Sequence, residues 1–512
     1  MLALLVFGAH PLYLHGQGVE DLVAPGGTLL FDFFPSFHSF GEVFGPTGER
    51  LELGSPFEHA AVGSDLLPQL QAPESALRAL LDSDVTLNVG ATRSELRGHE
   101  ARFPMRAAWG VTDRITVGAM VPVVRRRLEA GISFAPSDAN VGANPFRGGS
   151  GNLMDLLVSM DGALDRARQA VEEVCEAEGT GAAECVEGQE LISSGERLLD
   201  GLPGVLQDSP VAPLEDSPAG VELLSWVQSL RAEIEDLGVP TFEDPLLLPT
   251  SPFGEEGFRS EFVAPAWGPN RPPLDSWPGI PELGDIEFQL SALLFDRALG
   301  DREPGKAAPS ARIRSAAAIV YRLGTQQPDT LRDYFEGETP RGHSGLRIRS
   351  VTEVDVGARA SAGIHLEVED VGAAEVLRRV ASPDDPFNPF AAREIVRWTP
   401  GRIIAVETVP RLRLTQEFSI AARYRYFMRS GDRYEALDGS QADPGMLLPA
   451  PEVRTHRAGG EISYSTLEAH EASGAVMPFI VRLRLERTVA GSGERVPAGT
   501  RIEAGFRFFV SP

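Results

Sequence analysis

Through long stretches of this chain every second residue is apolar, the period of an extended strand with one face in an apolar medium. Arg501–Val510 is the clearest case. Ile502, Ala504, Phe506, Phe508 and Val510 share one face, and Arg501, Glu503, Gly505 and Arg507 share the other. Phe479, Val481, Leu483 and Leu485 oppose Arg482, Arg484 and Glu486 in the same way. In 417–428, Phe418, Ile420, Ala422, Tyr424, Tyr426 and Met428 oppose Ser419, Arg423 and Arg425. In 402–414, Ile404, Val406, Leu412 and Leu414 oppose Glu407, Arg411 and Arg413. The polar face of 359–369 carries Arg359, Ser361, His365, Glu367 and Glu369; that of 346–356 carries Arg347, Arg349, Glu353 and Asp355. Segments 28–38, 84–94, 100–109, 113–125, 285–296 and 309–322 alternate with fewer charges, and 459–467 alternates more weakly.

These runs are roughly 10–13 residues long, against about 5–6 for strands of soluble proteins. A strand crossing a bilayer needs roughly 9–11 residues. It turns alternate side chains to lipid and lumen. Trp109, Tyr321, Tyr424, Tyr426 and Phe508 fall on apolar faces, often near segment ends, as an interfacial girdle requires. The pattern therefore predicts an all-β fold, an antiparallel transmembrane β-barrel. A soluble β-sandwich also alternates, but with shorter strands.

The connections supply an independent test. With the last strand ending in the periplasm, 488–497, 429–453, 370–400, 323–344 and 126–284 fall on the outer side. Stretches 468–474, 415–416, 357–358, 297–308 and 110–112 fall on the inner side. Long outer loops and short inner turns are the rule for such barrels. The stretch 94–99 breaks it, a short connection on the outer side. Thirteen segments are clear, whereas single-chain bacterial barrels have even counts. Counting a short stretch at 45–53 gives fourteen strands, the preferred number. Discarding the first strand gives twelve, the alternative.

Residues 150–240 change character. Leu153, Leu156, Leu157, Met160, Leu164, Ala167, Val171 and Val174 recur at helical spacing, as do Val221, Leu224, Val227, Leu230, Ile234 and Leu237. Leu191, Ile192, Leu198 and Leu199 lie between. Two or three amphipathic helices are expected, followed by a Pro-rich stretch, 238–284, that returns to the barrel. Cys175 and Cys185 both lie here, and a lone close pair in a long chain suits one disulfide in an oxidising compartment. The expected organisation is a signal peptide over 1–18, barrel strands over 19–126, a helical and Pro-rich insertion over 127–284 and barrel strands over 285–512. Leu2–Phe7 resemble a signal-peptide core, although no Lys or Arg precedes them and no A-x-A site follows. No later segment has about 18 uninterrupted apolar residues, which excludes helical spans.

Charge sharpens the picture. The 512-residue chain has a formal net charge of −26, which excludes a nucleic-acid binder. Between 151 and 250 there are 21 Asp/Glu against 4 Lys/Arg, so the insertion is acidic and carries most of the imbalance. By parity it stands outside the cell, either as a solvated excursion or as a lid over the pore. The nine histidines, at 10, 15, 38, 59, 99, 343, 365, 456 and 470, never fall at metal-ligand spacing. No C-x-x-C, H-E-x-x-H or G-x-S-x-G occurs, and the glycine-rich FRGGSGN at 146–152 lacks the Lys-Ser/Thr of a P-loop. Neither a cofactor nor a catalytic residue is expected.

The run ARFPMRAAWGVTDRITVGAMVPVVRRR at 101–127 carries a strand and turn ending G-V-T-D-R, then T-V-G-x-x-V-P. It resembles the transporter-type outer-membrane barrels related to the phenol-degradation meta-pathway proteins. The resemblance covers about 60 residues closely and implies a channel for a small, often hydrophobic, molecule in the outer membrane of a Gram-negative bacterium. GFRFFV at 505–510 resembles the strand read by the barrel-assembly machinery, although Val510, Ser511 and Pro512 follow the last aromatic residue. The expected partners are outer-membrane lipid, that machinery and a small solute.

The candidate functional residues are the polar faces: Arg347, Arg349, Glu353, Asp355, His365, Glu367, Glu369, Glu407, Arg411, Arg413, Arg423, Arg425, Arg482, Arg484, Glu486 and Arg507. Their mixed signs predict a weakly selective or largely closed lumen. Two other readings stay open: a surface-display barrel binding an external partner through the acidic insertion, and a secreted soluble all-β enzyme.

Overall fold

The computed structural model describes residues 18–147, 153–263, 275–299, 311–326, 342–380, 392–437, 452–473, 477–493 and 496–510. The signal segment up to residue 17 lies outside these residues, as do 148–152 and most of the 297–308 turn. So do 264–274 of the Pro-rich stretch and parts of the expected outer loops (327–341, 381–391, 438–451 and 494–495).

Twelve strands close a ring. The first is in two halves, β1 (Leu29–Phe33) and β2 (Ser36–Phe40), parted at Pro35, which has no N–H for the ladder. β3 (Glu42–Phe44) and β4 (Arg50–Glu52) lie outside the ring. β5 (Ala91–Thr112) and β6 (Ile115–Ala135) form a long hairpin. β7 (Val141–Ala143) and β8 (Val211–Pro213) make a small ribbon, and β9 (Asp275–Trp277) and β10 (Pro281–Leu283) pair along β6. Wall strands follow: β11 (Ile286–Leu299), β12 (Ala311–Leu323), β13 (Gly345–Val356) and β14 (Ala360–Val371). After β15 (Ala374–Val380) and β16 (Ala392–Thr399) come β17 (Ile403–Arg413), β18 (Phe418–Arg429), β19 (Arg433–Ala436), β20 (Val453–Ser465), β21 (Phe479–Ser492), β22 (Val496–Pro497) and β23 (Thr500–Val510). The wall runs β1/β2–β5–β6–β11–β12–β13–β14–β17–β18–β20–β21–β23, every neighbour antiparallel, and β23 pairs back to β1 and β2. β15–β16–β19 and β22–β3–β4 are separate small sheets.

Two expectations change together. Segments 84–94 and 100–109 do not form two strands joined at 94–99; residues 91–112 are one strand, and 84–90 lies before it. That removes the surplus strand and the only short connection on the outer side. The stretch 45–53 supplies β4 to a small sheet rather than to the wall. The ring therefore has twelve strands, the alternative count, and not fourteen. The tight turns join β5 to β6, β13 to β14 and β17 to β18, all on one face of the ring. The insertion and the other long connections leave from the opposite face.

The outer wall is apolar. Phe37, Met105, Trp109, Leu290, Ile319, Ile348, Ile364, Ile420, Ile462, Leu483, Leu485 and Ile502 all point outward and are exposed. Water-soluble monomers do not leave a continuous band of such residues uncovered. Near the tight-turn face, Phe31 lies opposite Phe508 and Phe508 opposite Phe479. Tyr464 stands 5.9 Å from Phe479 and 4.9 Å from Phe418, continuing an aromatic girdle.

β5 and β6 span 22 and 21 residues, against 11–14 for the other unbroken wall strands, and rise past the ring on the long-connection face. Their upper halves bear the largest apolar core. Leu96, Leu128, Ile132 and Phe134 pack with α1 (Gln71–Leu81), α2 (Leu153–Glu178), α3 (Ala183–Leu206) and α4 (Pro218–Asp236). Three helices thus stand where the insertion's periodicity placed two or three, and Cys175–Cys185 joins α2 to α3. Leu96 and Leu128 lie on the same side of their strands as the lumen-facing Glu100 and Val124. The helical layer therefore sits above the mouth on the lumen side. Among the described residues, no helix is long and apolar enough to cross a membrane.

Candidate functional site: the lumen

Alternation turns the polar face of every wall strand into the ring. Antiparallel register then sets carboxylates beside guanidiniums. Glu461 on β20 is almost fully buried and meets three arginines from neighbouring strands: Arg484 at 2.6 Å, Arg423 at 2.8 Å and Arg411 at 3.2 Å. Arg423 also binds Glu407, and Glu486 at 3.1 Å. Arg484 reaches Glu503 at 2.6 Å. Across the ring, Arg347 holds Glu369 at 2.8 Å and Glu287 at 3.2 Å, while Arg322 reaches Glu369 at 2.7 Å. On β5 and β6, Glu100 accepts from Arg102 at 2.6 Å and Arg126 at 2.8 Å. One guanidinium serving two or three carboxylates is a use for which its planar five-donor fork suits Arg better than Lys. The chain has a single lysine, Lys306.

A cavity of about 440 Å³ lies within this network. Eleven of the sixteen expected residues line it: Arg347, Arg349, His365, Glu367, Glu407, Arg423, Arg425, Arg482, Arg484, Glu486 and Arg507. The other five also face inward but belong to the packed network around it. Glu353 pairs with Arg314 at 3.0 Å, Asp355 lies 3.7 Å from Arg314, and Glu369 sits between Arg322 and Arg347. Arg411 bridges Glu461 and Glu353, and Arg413 binds Glu468 in the short helix Leu467–Ser473 at the tight-turn face. The cavity is not charged all round. Phe34, Phe40, Pro104, Met120, Pro122 and Val124 give it an apolar strip on the β2–β5–β6 side. None of the described residues lining it comes from 136–283.

The residue sequence reasoning missed is Asp21. Residues 18–28 enter the lumen from the tight-turn face. Val19 and Leu22 pack on Ala316, Ala318, Val320 and Val351 of β12 and β13. On the opposite wall, Asp21 accepts from Arg482 at 2.9 Å and Arg507 at 2.7 Å, and its carbonyl accepts from Arg106 at 2.7 Å. Burial alone raises the Asp21 pKa, but the Arg482 and Arg507 charges outweigh it and hold the carboxyl well below its ordinary range. Asp32 completes the cluster, 2.6 Å from Arg507 and 3.4 Å from Arg106.

The G-V-T-D-R turn acquires a physical reason here. The Gly26 N–H donates to Asp113 at 2.9 Å, and Thr112 Oγ1 accepts from the N–H groups of Arg114 and Ile115. Gly110 exchanges hydrogen bonds with Gly27 and Thr28, and a Cβ there would stand 2.0 Å from the Pro25 carbonyl oxygen. Thr116 on β6 accepts from the Ala24 N–H at 2.8 Å. The turn is the dock for the N-terminal segment. No alternation marks that segment, so the sequence carried no signal for it.

No family model matches the chain, and no curated protein matches it. Among solved structures, an outer membrane channel from Pseudomonas putida F1 overlaps 97% of this chain and 100% of its own at 7% identity and a TM-score of 0.40. The toluene transporter TbuX of Ralstonia pickettii overlaps 96% of this chain and 92% of its own at 8% identity, with a TM-score of 0.25. The β domain of the Bordetella autotransporter BrkA overlaps 94% and 99% at 6% identity, with a TM-score of 0.26. A likeness of this order spans both channels and other barrels, so it does not choose between them.

Proposed function

We propose that this chain is an outer-membrane barrel that passes a small molecule, with the lumen cavity on its route and residues 19–28 as the stopper. One observation carries the reading: a closed ring, apolar outside and charged inside, holds a cavity whose tight-turn end is filled by a segment of the chain itself. A purely structural barrel has no need of such a space. The apolar outer band belongs in lipid, and an antiparallel barrel leaves no edge unpaired there. That speaks against the secreted soluble enzyme. The short-turn rule puts the tight-turn face in the periplasm and the helical layer outside the cell. The apolar strip accommodates a solute with a hydrophobic body, the class that the 101–127 resemblance implies. The sixteen inward residues act as lumen lining, and β23 is the strand offered to the barrel-assembly machinery. We take 127–284 as an inserted unit between the two blocks of strands, with 1–18 removed on export.

A second reading rests on the insertion. Its 21 carboxylates against 4 basic residues make α2–α4 an acidic surface suited to a basic external partner.

Planar-bilayer recording tests the first reading. The full chain is expected to pass little current, and a variant lacking residues 19–27 at least tenfold more, since a closed lumen yields to an open one. A variant lacking 150–284 is expected to keep the barrel's conductance. Silence from all three sinks the channel and leaves the display reading.

A further inference from the structure

The stopper is held in an unusual way. Arg106, Arg482 and Arg507 all belong to wall strands, and so does Asp32. Asp21 alone comes from a segment outside the wall. Its apolar anchors, Val19 and Leu22, lie against β12 and β13, where three of the four partners are Ala316, Ala318 and Val320. The contacts that point into the cavity are ionic, with Oδ1 of Asp21 shared between Arg482 and Arg507. The wall cluster thus has three guanidiniums and one carboxylate hydrogen-bonded to them, Asp32, with Glu461 of β20 acting on Arg482 by charge. Asp21 is the second carboxylate hydrogen-bonded there. The excess extends through the cavity, which is lined by twelve arginines and nine carboxylates among the described residues, although the chain as a whole is strongly acidic.

We propose that Arg106, Arg482 and Arg507 form a carboxylate-binding site which Asp21 occupies in the closed barrel, and that an anionic solute enters by exchanging its carboxylate for that of Asp21. This rests on reading the lumen as a route. The exchange conserves charge. The solute inherits two charge-assisted hydrogen bonds, and Asp21 leaves with its segment to water. A neutral solute of the same shape cannot drive it, because it would not replace the charge that Asp21 takes away from Arg482 and Arg507.

The test compares the full chain with Asp21→Asn and Arg482→Gln variants in detergent, each checked for heat-modifiable migration. The probe is benzoate, and the uncharged control is benzamide. Asp21→Asn is expected to bind benzoate about tenfold or more tightly than the parent, because the internal competitor is gone. Arg482→Gln is expected to lose about tenfold or more of the affinity, the weight of a charge-assisted hydrogen bond. Hydrogen exchange at residues 22–28 of the parent should accelerate at saturating benzoate and not with benzamide. Equal benzoate affinity in the parent and Asp21→Asn overturns the proposal, as does equal binding of benzamide. Glucose flux in liposomes separates this from the route itself. Benzoate exchange without flux in any variant supports the site and removes the channel. Flux through Asp21→Asn without benzoate preference keeps the channel and removes the site.

Discussion

The two halves of the β5–β6 hairpin are one pair of strands in two solvents. In the lower half the outward row is Ala101, Phe103, Met105, Ala107 and Trp109 on β5, opposite Val117, Val121 and Val123 on β6. The inward row there includes the charged Arg102 and Arg106. In the upper half the rows trade places. Arg93, Glu95, Arg97 and His99 point out, beside Arg125, Arg127 and Glu129, while Leu96, Leu128, Ile132 and Phe134 point in beneath the helices. No residue is skipped and the ladder stays in register across the change. What inverts is the medium: lipid outside and charges inside below, water outside and an apolar core inside above. The inversion falls between His99 and Ala101 on β5 and between Val123 and Arg125 on β6, and marks the edge of the apolar band on the long-connection face.

The first way to break this comparison attacks the inside of the lower half. Glu461 neutralises parts of three guanidiniums in a space with almost no solvent. Removing one partner from a buried ionic group costs about 3–5 kcal/mol, because the remaining charges stay unpaired. Glu461→Gln is therefore expected to lower the barrel's unfolding free energy by about that much in a denaturant titration in lipid. A change under about 1 kcal/mol would mean that the lumen is wet enough to solvate the arginines, as exposed pairs are.

The second sharpens the boundary. Met105 and Arg97 occupy the same outward row, four pairs apart along one strand. Met105→Arg places a cation in hydrocarbon and is expected to cost about 2–4 kcal/mol. Arg97→Ala only trims a solvated side chain and should stay within about 0.5 kcal/mol. Equal costs for the two would mean that no solvent boundary crosses the strand between them.

The same inversion explains how much of the fold the sequence carries openly. Eleven of the wall strands were legible, ten over one run of alternation and β6 over its lower half alone, up to the inversion at residue 125. So were the insertion's helices and its cystine. The twelfth, β5, looked like two strands, because a reader tracking the apolar face sees the odd row go from Arg93, Glu95 and Arg97 to Phe103 and Met105. Physically that is one strand leaving lipid; on paper it is a break, and it produced the odd count. In the lumen, the sixteen inward residues could be assigned a face, but not which of them surround open space. Eleven line the cavity and five are packed beside it, a difference set by shear and by long side chains from strands far apart in sequence. Asp21 lay beyond reach for another reason. Its segment has no period, and its partners Arg482 and Arg507 lie more than 460 positions away.

The smallest effect separates the halves most cleanly. The Cys175–Cys185 bridge closes a loop with a sequence separation of 10 at the α2–α3 turn, far from the wall. Such a loop is worth roughly 2–3 kcal/mol of chain entropy, and only to the unit that unfolds with it. If the helical layer above the mouth and the ring below are separate cooperative units, reducing the bridge loosens the first alone. Hydrogen exchange in α2 and α3 should then rise, while the amides of β12–β14 and the heat-modifiable migration stay unchanged. Loss of protection in the ring as well would show that the shared hairpin couples the two, and that the strands entering water carry the stability of the strands in lipid.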